Sequence, residues 1–233
     1  QDGSTSSLSY ALVFFQLPFG IFSISIITVL FPRMSRQAAL GDSEGLIGSV
    51  SYGLRFTLIL LAPATVLFLL LGRPIIAVLL ERQRFTAEAT ALTARVLSAY
   101  ALGLFSLGAF TFLQRYFYAS RDYLTPLAGA GVVSVADIAL SLWLKRTPLA
   151  VAGLAYANSI AFSLGFVFLL LAARRRLGSL NGRLLLGTAL RTSVAMAAFA
   201  AFVILYLRLT RAWWTPGSSL GNLALLTVVL LGS

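Results

Sequence analysis

Seven stretches of the chain, 8–31, 53–71, 88–112, 124–144, 149–172, 184–207 and 218–233, are almost wholly apolar. They hold only five of the 25 charged residues, namely Arg55, Glu88, Arg95, Asp137 and Arg191. An α-helix needs roughly 20 residues to cross about 30 Å of hydrocarbon, so the first six are long enough to span. The seventh runs into Ser233 and the chain opens on Gln1, the pattern expected of a piece of a longer polytopic protein. A transmembrane barrel would instead show weak alternating segments of about ten residues. Unbroken apolar runs such as Leu58–Leu71 and Leu164–Ala173 call for helices, whose backbone bonds close within the segment. The predicted fold is an all-α polytopic membrane bundle of about seven helices, forming a single transmembrane domain over 1–233.

Short connections such as Lys145-Arg146-Thr147-Pro148 make neighbouring helices antiparallel. Alternation then groups the loops at 32–52, 113–123 and 173–183 on one face, with eight arginines against seven basic residues on the other. The Arg174–Arg176 cluster, with Arg55 near the start of its span, tilts the first face toward the cytoplasm, because cytoplasmic loops are enriched in Lys and Arg. Segment 73–85 stands apart. Pro74–Leu80 is apolar but too short to span, and is bracketed by Arg73 and by Glu81, Arg82 and Arg84. It reads as a short interfacial helix, or as an ordinary loop that starts helically after Pro74.

Composition agrees with the pattern. Hydrophobic residues make up 59% and charged residues 11%, against about 25% charged in a soluble domain, and the mean hydropathy is +0.91. The chain has no Cys and no His. That excludes disulfide frameworks, thiolate or imidazole metal sites, and Ser/His or Cys/His nucleophile pairs. The net charge of +11 comes from 17 Arg and one Lys that mostly punctuate loops, which is membrane topology rather than a nucleic-acid surface. The seven acids are scattered: Asp42 and Glu44 share a Gly-containing loop, and no spanning stretch carries a carboxylate pair. General acid–base work has few candidates, so no enzyme, metal or cofactor is expected.

The charges inside the spans are more informative. An ionisable group at the bilayer centre costs about 2.5–3.5 kcal/mol on insertion scales. Asp137 lies near the middle of 124–144 and Arg95 eight positions into 88–112. Each lines a water-filled cavity or is neutralised structurally, Asp137 by protonation or a partner. Arg55 and Arg191 lie nearer span ends and can snorkel toward the interface. Pro18 and Pro63 fall within spans. Each removes an N–H and can kink its helix, as in the broken helices of transporters, although proline is also simply tolerated in membrane helices.

Specific strings add a family. The run Tyr10-Ala11 … Gln16-Leu17-Pro18-Phe19-Gly20-Ile21-Phe22, ending in Leu30-Phe31-Pro32-Arg33-Met34-Ser35-Arg36, resembles the MurJ (MviN) family of lipid II flippases. That family belongs to the multidrug/oligosaccharidyl-lipid/polysaccharide (MOP) exporter superfamily. The resemblance continues in Tyr52-Gly53-Leu54-Arg55 with Pro63, in Ser98-Ala99-Tyr100-Ala101-Leu102-Gly103-Leu104, and in Arg115-Tyr116-Phe117-Tyr118-Ala119-Ser120-Arg121-Asp122 leading to Thr125-Pro126. Gly153-Leu154-Ala155 with Ser159, then Arg174–Arg176, complete the series.

The resemblance implies the second lobe of a flippase of the bacterial cytoplasmic (inner) membrane, working with an absent N-terminal lobe. Its implied partners are membrane lipids and the undecaprenyl-pyrophosphate-linked peptidoglycan precursor, moved between leaflets by alternating access through a cationic cavity. Peptidoglycan biosynthesis, cell-wall organisation and cell shape would depend on it. Gln16, Arg55, Arg95, Asp137 and Arg191 form the candidate substrate pathway, and Pro18 and Pro63 the candidate kinks. The family's acid–base pair after Tyr-Ala is replaced here by Leu12 and Val13, and Asp137 stands where the family more often has Asn. Other polysaccharide-lipid or multidrug exporters, and a non-transporting membrane scaffold, are the alternative readings.

Overall fold

A computed structural model describes residues 2–80, 86–147 and 150–210; the expected seventh span at 218–233 lies outside them. Among the described residues the regular structure is entirely helical. Helix α1 (Asp2–Pro18) runs through a π-helical turn, Phe19–Ser23, into α2 (Ile24–Ala39). Then come α3 (Ser43–Leu80), α4 (Ala87–Ala101), α5 (Leu104–Ala119), α6 (Leu124–Leu144), α7 (Ala150–Leu177) and α8 (Gly182–Thr210). Five segments are long and apolar enough to cross a membrane: Ser6–Ala39, Ser43–Leu80, Leu124–Leu144, Val151–Leu177 and Gly182–Leu209. The pair α4 and α5, bent by 43°, is long and apolar enough to make a sixth when taken as one span.

Two breaks have identifiable causes. The π turn follows Pro18 directly. Proline has no N–H to donate and its ring crowds the carbonyl four residues back, so a wider turn absorbs the mismatch. The bend between α4 and α5 falls at Leu102 and Gly103, inside the 88–112 stretch expected as one span. A side chain on Gly103 would put its Cβ 2.7 Å from the Ser159 Cα, so α7 passes the bend only because Gly103 is bare. Interrupting a helix in lipid orphans carbonyls, and each unpaired group there is costly. Hydroxyls from neighbouring helices take up the deficit. Ser159 Oγ of α7 donates to the Ala99 carbonyl at 2.7 Å, and Thr65 Oγ1 of α3 lies 3.2 Å from the Ala101 carbonyl, its proton shared with the Leu61 carbonyl at 3.0 Å.

Of the segment 73–85, expected as a short interfacial helix or as a loop that starts helically after Pro74, the described part is helical and continuous with the span before it. Residues 73–80 are the last two turns of α3, which continues through both Pro63 and Pro74. Tertiary packing overrides Pro74. Ile76 and Val78 are buried, Ile76 in a cluster with Leu61, Leu97 and Leu104, and Val78 with Leu71 and Val203 of α8. Residues 81–85, with Glu81, Arg82 and Arg84, are outside the described set.

The connections predicted at 32–52, 113–123 and 173–183 shrink to tight turns. Gly41 (φ 68°) ends α2, with the Asp42 N–H on the Gln37 carbonyl at 2.9 Å. Arg121 (φ 58°) ends α5 the same way, with the Asp122 N–H on the Phe117 carbonyl at 2.9 Å. Both are left-handed helix caps that return otherwise orphaned carbonyls to hydrogen bonds. The three turns meet at one end of the bundle, where Met34, Val50, Phe112, Leu113, Tyr116, Phe117, Leu169 and Ala173 form the larger core. The other end is centred on Ala11, Phe15, Leu61, Leu97, Tyr100 and Ala155.

Candidate functional site

The polar residues of the spans are distributed over five helices. Gln16 of α1 is exposed, two residues before Pro18 and beside exposed Val13 and Leu17. Arg95 of α4 and Arg191 of α8 are also exposed. Among the described residues neither has a carboxylate within ion-pair distance, since the one ion pair there joins Arg176 and Asp122. Arg55 is half-buried. It sits twelve residues after Ser43, about 18 Å along α3 at 1.5 Å per residue, and so lies deeper in its helix than a span starting at 53 implied. Its Nε donates to the Thr188 hydroxyl of α8 at 2.7 Å. Arg191 follows Thr188 by three positions, one turn along the same strip of α8. The structure thus groups Arg55, Thr188 and Arg191 along the seam between α3 and α8.

Asp137 is half-buried on α6, and its Oδ1 is shielded from solvent with no hydrogen-bond partner. Tyr100 of α4 is buried, and its ring packs on Phe15 of α1 at 5.4 Å. Gln16 is the next residue. Asp137 on α6 and Gln16 on α1 thus stand on separate helices, the first half-buried and the second exposed. Pro18 is buried at the π turn, and Pro63 is half-buried within an uninterrupted α3.

The best-defined electrostatic feature lies at the end where the tight turns meet, and the sequence reading did not single it out. Arg176 Nη1 donates to Asp122 Oδ2 at 2.6 Å, joining the end of α7 to the turn before α6. The same carboxylate caps α6. Asp122 Oδ1 accepts from the Leu124 N–H at 3.1 Å and the Thr125 N–H at 3.0 Å, and Oδ2 accepts from the Thr125 hydroxyl at 2.7 Å. An Asp three residues before a Thr at a helix start is a capping signal, legible in Asp122-Tyr123-Leu124-Thr125. The partner on α7 is not legible, because it lies 54 positions away.

Partial burial pushes the Asp122 carboxyl up, but the Thr125 N–H and hydroxyl, Arg176 and the Leu124 N–H outweigh it and hold the group below its ordinary value. A depressed folded value stabilises the fold fully above the unfolded carboxylate pKa of about 3.9. That contribution is lost as pH falls through the lower folded value. Arg176 is 46% exposed, so solvent screens the ion pair and the helix cap dominates. Asp122→Ala is expected to cost about 1 kcal/mol at neutral pH. Thermal melts of wild type and variant should converge as pH drops below about 3.9; a constant gap would show that the carboxylate charge is irrelevant.

Comparison with known proteins follows the same helices. The sequence profile of the family described as "MurJ: Lipid II flippase MurJ" matches residues 1–225. The "Probable lipid II flippase MurJ" of Thermotoga maritima is 32% identical over 231 residues, covering 99% of this chain and 44% of that protein. The protein of the same description from Borreliella burgdorferi is 37% identical over 160 residues, 69% of this chain and 31% of its own length. A solved structure described as "Lipid II flippase MurJ, inward closed conformation" superposes with a TM-score of 0.77 at 27% identity, covering 98% of this chain and 45% of that one. The chain thus spans less than half the length of the relatives it matches. An all-helical, multi-pass membrane protein with these matches along its length belongs to the lipid II flippase MurJ family.

Proposed function

We propose that the whole protein to which this chain contributes moves lipid II, the undecaprenyl-pyrophosphate-linked peptidoglycan precursor, across the bacterial inner membrane by alternating access. The observation that carries this reading is the superposition of 98% of the chain on a solved lipid II flippase. The chemistry supports it. A pyrophosphate and its sugars cannot cross hydrocarbon bare, and uncompensated guanidiniums within spans are suited to phosphate. Arg55, Arg95 and Arg191 supply such cations, Gln16 and Asp137 supply polar groups on α1 and α6, and further helices of the whole protein complete the shelter. The π turn after Pro18 and the bend at Gly103 are the places where helices flex as the cavity changes its opening; Pro63 is a third. Peptidoglycan assembly, and through it cell shape, is the process served.

The absence of charge from span 8–31 favours one other reading, a membrane scaffold that does not transport, because Leu12 and Val13 leave no ionic group there. Complementation separates the two. The full-length protein should restore growth to cells depleted of their own lipid II flippase. Arg95→Ala should cut accumulation of lipid II in the outer leaflet by about tenfold, the effect expected for loss of a charge-assisted phosphate contact. Arg146→Ala, at an exposed site after α6, should leave it unchanged. Absence of rescue despite normal membrane expression selects the scaffold, and equal effects of the two substitutions remove Arg95 from the pathway.

A further inference from the structure

Beside the Asp122–Arg176 pair, α5, α6 and α7 enclose a recess of about 710 Å³, within the size range of ligand sites. It has two distinct parts. At its mouth are Arg175 and Arg176, the last basic residues of α7. Its walls, formed by Leu124 and Ala128 of α6 and Phe168 and Leu171 of α7, are apolar. Phe168 precedes Arg175 by seven residues, so the apolar wall descends about 10 Å into the span from the guanidinium level. Leu124 and Leu171 are 78% and 52% exposed, so the wall is open along the bundle's side.

A water-soluble anion would use the mouth and leave the wall unused, whereas a hydrocarbon would use the wall and leave the arginines unused. An occupant that satisfies both carries a phosphate joined to acyl chains. The charge sets which one. Asp122 is already occupied by its cap bonds and by Arg176, so the recess holds two cations and one committed anion. One positive charge is left over. Among the described residues Arg175 has no acidic partner, and its guanidinium is free to meet a phosphodiester in two parallel hydrogen bonds.

We propose that this recess is a binding site for an anionic membrane phospholipid, with the phosphodiester held by Arg175 and Arg176 and the first acyl carbons against Phe168 and Leu171. Basic pockets between transmembrane helices at a membrane surface recognise such headgroups. Because Arg176 also holds the turn before α6, a lipid seated here joins α7 to α6 at the end where the tight turns meet. The site is independent of lipid II transport and depends only on the chain's place in the membrane.

The test uses the full-length protein in nanodiscs without lipid II. One set contains phosphatidylcholine alone, and the other two parts phosphatidylcholine to one part phosphatidylglycerol. Bound phospholipid is counted by native mass spectrometry and stability is followed by thermal melting. Wild type should retain phosphatidylglycerol selectively and melt higher in its presence. Arg175→Gln, which leaves the Asp122–Arg176 pair intact, should weaken retention by about tenfold. Arg175→Gln with Arg176→Gln should abolish the selectivity, and Arg33→Gln, an exposed arginine on α2, should behave as wild type. Undiminished retention in both Arg175 variants overturns the site. Inorganic phosphate reproducing the stabilisation in pure phosphatidylcholine overturns the assignment to a phospholipid.

Discussion

Gly53→Ala should destabilise the full-length protein, whereas Gly48→Ala, five residues earlier on the same helix, should leave it unchanged or stabilise it. Helix propensity alone favours alanine over glycine by about 1 kcal/mol at either position. The surroundings separate them. A Cβ at Gly48 meets nothing within 4 Å, whereas one at Gly53 collides with the Phe112 ring. Phe112 is 1% exposed and packed in the larger core with Val50, Leu54, Leu113 and Tyr116, so it has no vacant space to swing into. Interiors are close-packed, and inserting a methyl group into such a site costs about 1–3 kcal/mol, which exceeds the propensity gain. Association of helices in lipid depends on such close approach rather than on a hydrophobic force, so the cost falls directly on the contact between α3 and α5. Phe112→Leu, introduced with Gly53→Ala, should recover part of the loss, because neighbouring substitutions couple. Melting of wild type, Gly53→Ala, Phe112→Leu and the double variant in one detergent measures the cycle, with Gly48→Ala beside them as the control. Equal melting of Gly53→Ala and Gly48→Ala would mean that α3 and α5 do not meet as described.

Hydropathy located the helices because lipid imposes one strong rule, that a spanning backbone must bond to itself. It placed α6 at 124–144 with the bounds the structure has. It was poor at helix ends. Segments 32–39, 43–52 and 113–119 contain polar residues, so a hydropathy cut removes them, yet they continue α2, α3 and α5 as helix. The backbone has no reason to unwind where side chains turn polar. The bend at Leu102 and Gly103 leaves no mark in hydropathy either, because the cause is α7 passing over Gly103, a contact between residues 56 positions apart. Pro74 misled for the same reason in reverse. Its local penalty was visible, and the burial of Ile76 and Val78 that outweighs it was not.

The candidate pathway shows a similar division. Residue type identified which charges are costly in lipid, and the family strings showed what such charges could serve. Neither disclosed that Arg55 reaches Thr188, because that pair joins positions 133 apart. The capping role of Asp122 was written in four consecutive residues, and its ion pair with Arg176 was not.

Neutralising Arg55 should reduce lipid II translocation by the full-length protein at least tenfold, and the size of the loss should follow charge rather than the bond to α8. Arg55 is half-buried, bonded to a neutral hydroxyl, and without an acidic partner among the described residues. A cation placed that deep costs free energy unless an anion offsets it. If its anion is the substrate's diphosphate, the field of the guanidinium matters more than its anchor. Arg55→Gln removes charge and phosphate donors together, a loss of about 1.5–3 kcal/mol for a charged hydrogen bond, or roughly 10- to 150-fold. Arg55→Lys keeps the charge but not the planar fork, and should fall between the two. Thr188→Val removes only the hydroxyl, freeing one N–H of a group that has five, and should stay within about threefold of wild type, on the scale of a neutral hydrogen bond. Outer-leaflet lipid II in depleted cells, normalised to membrane expression, ranks the four proteins. The opposite ranking, with Thr188→Val as damaging as Arg55→Gln and Arg55→Lys fully active, would make Arg55 a clamp between α3 and α8 and take it out of the substrate's path.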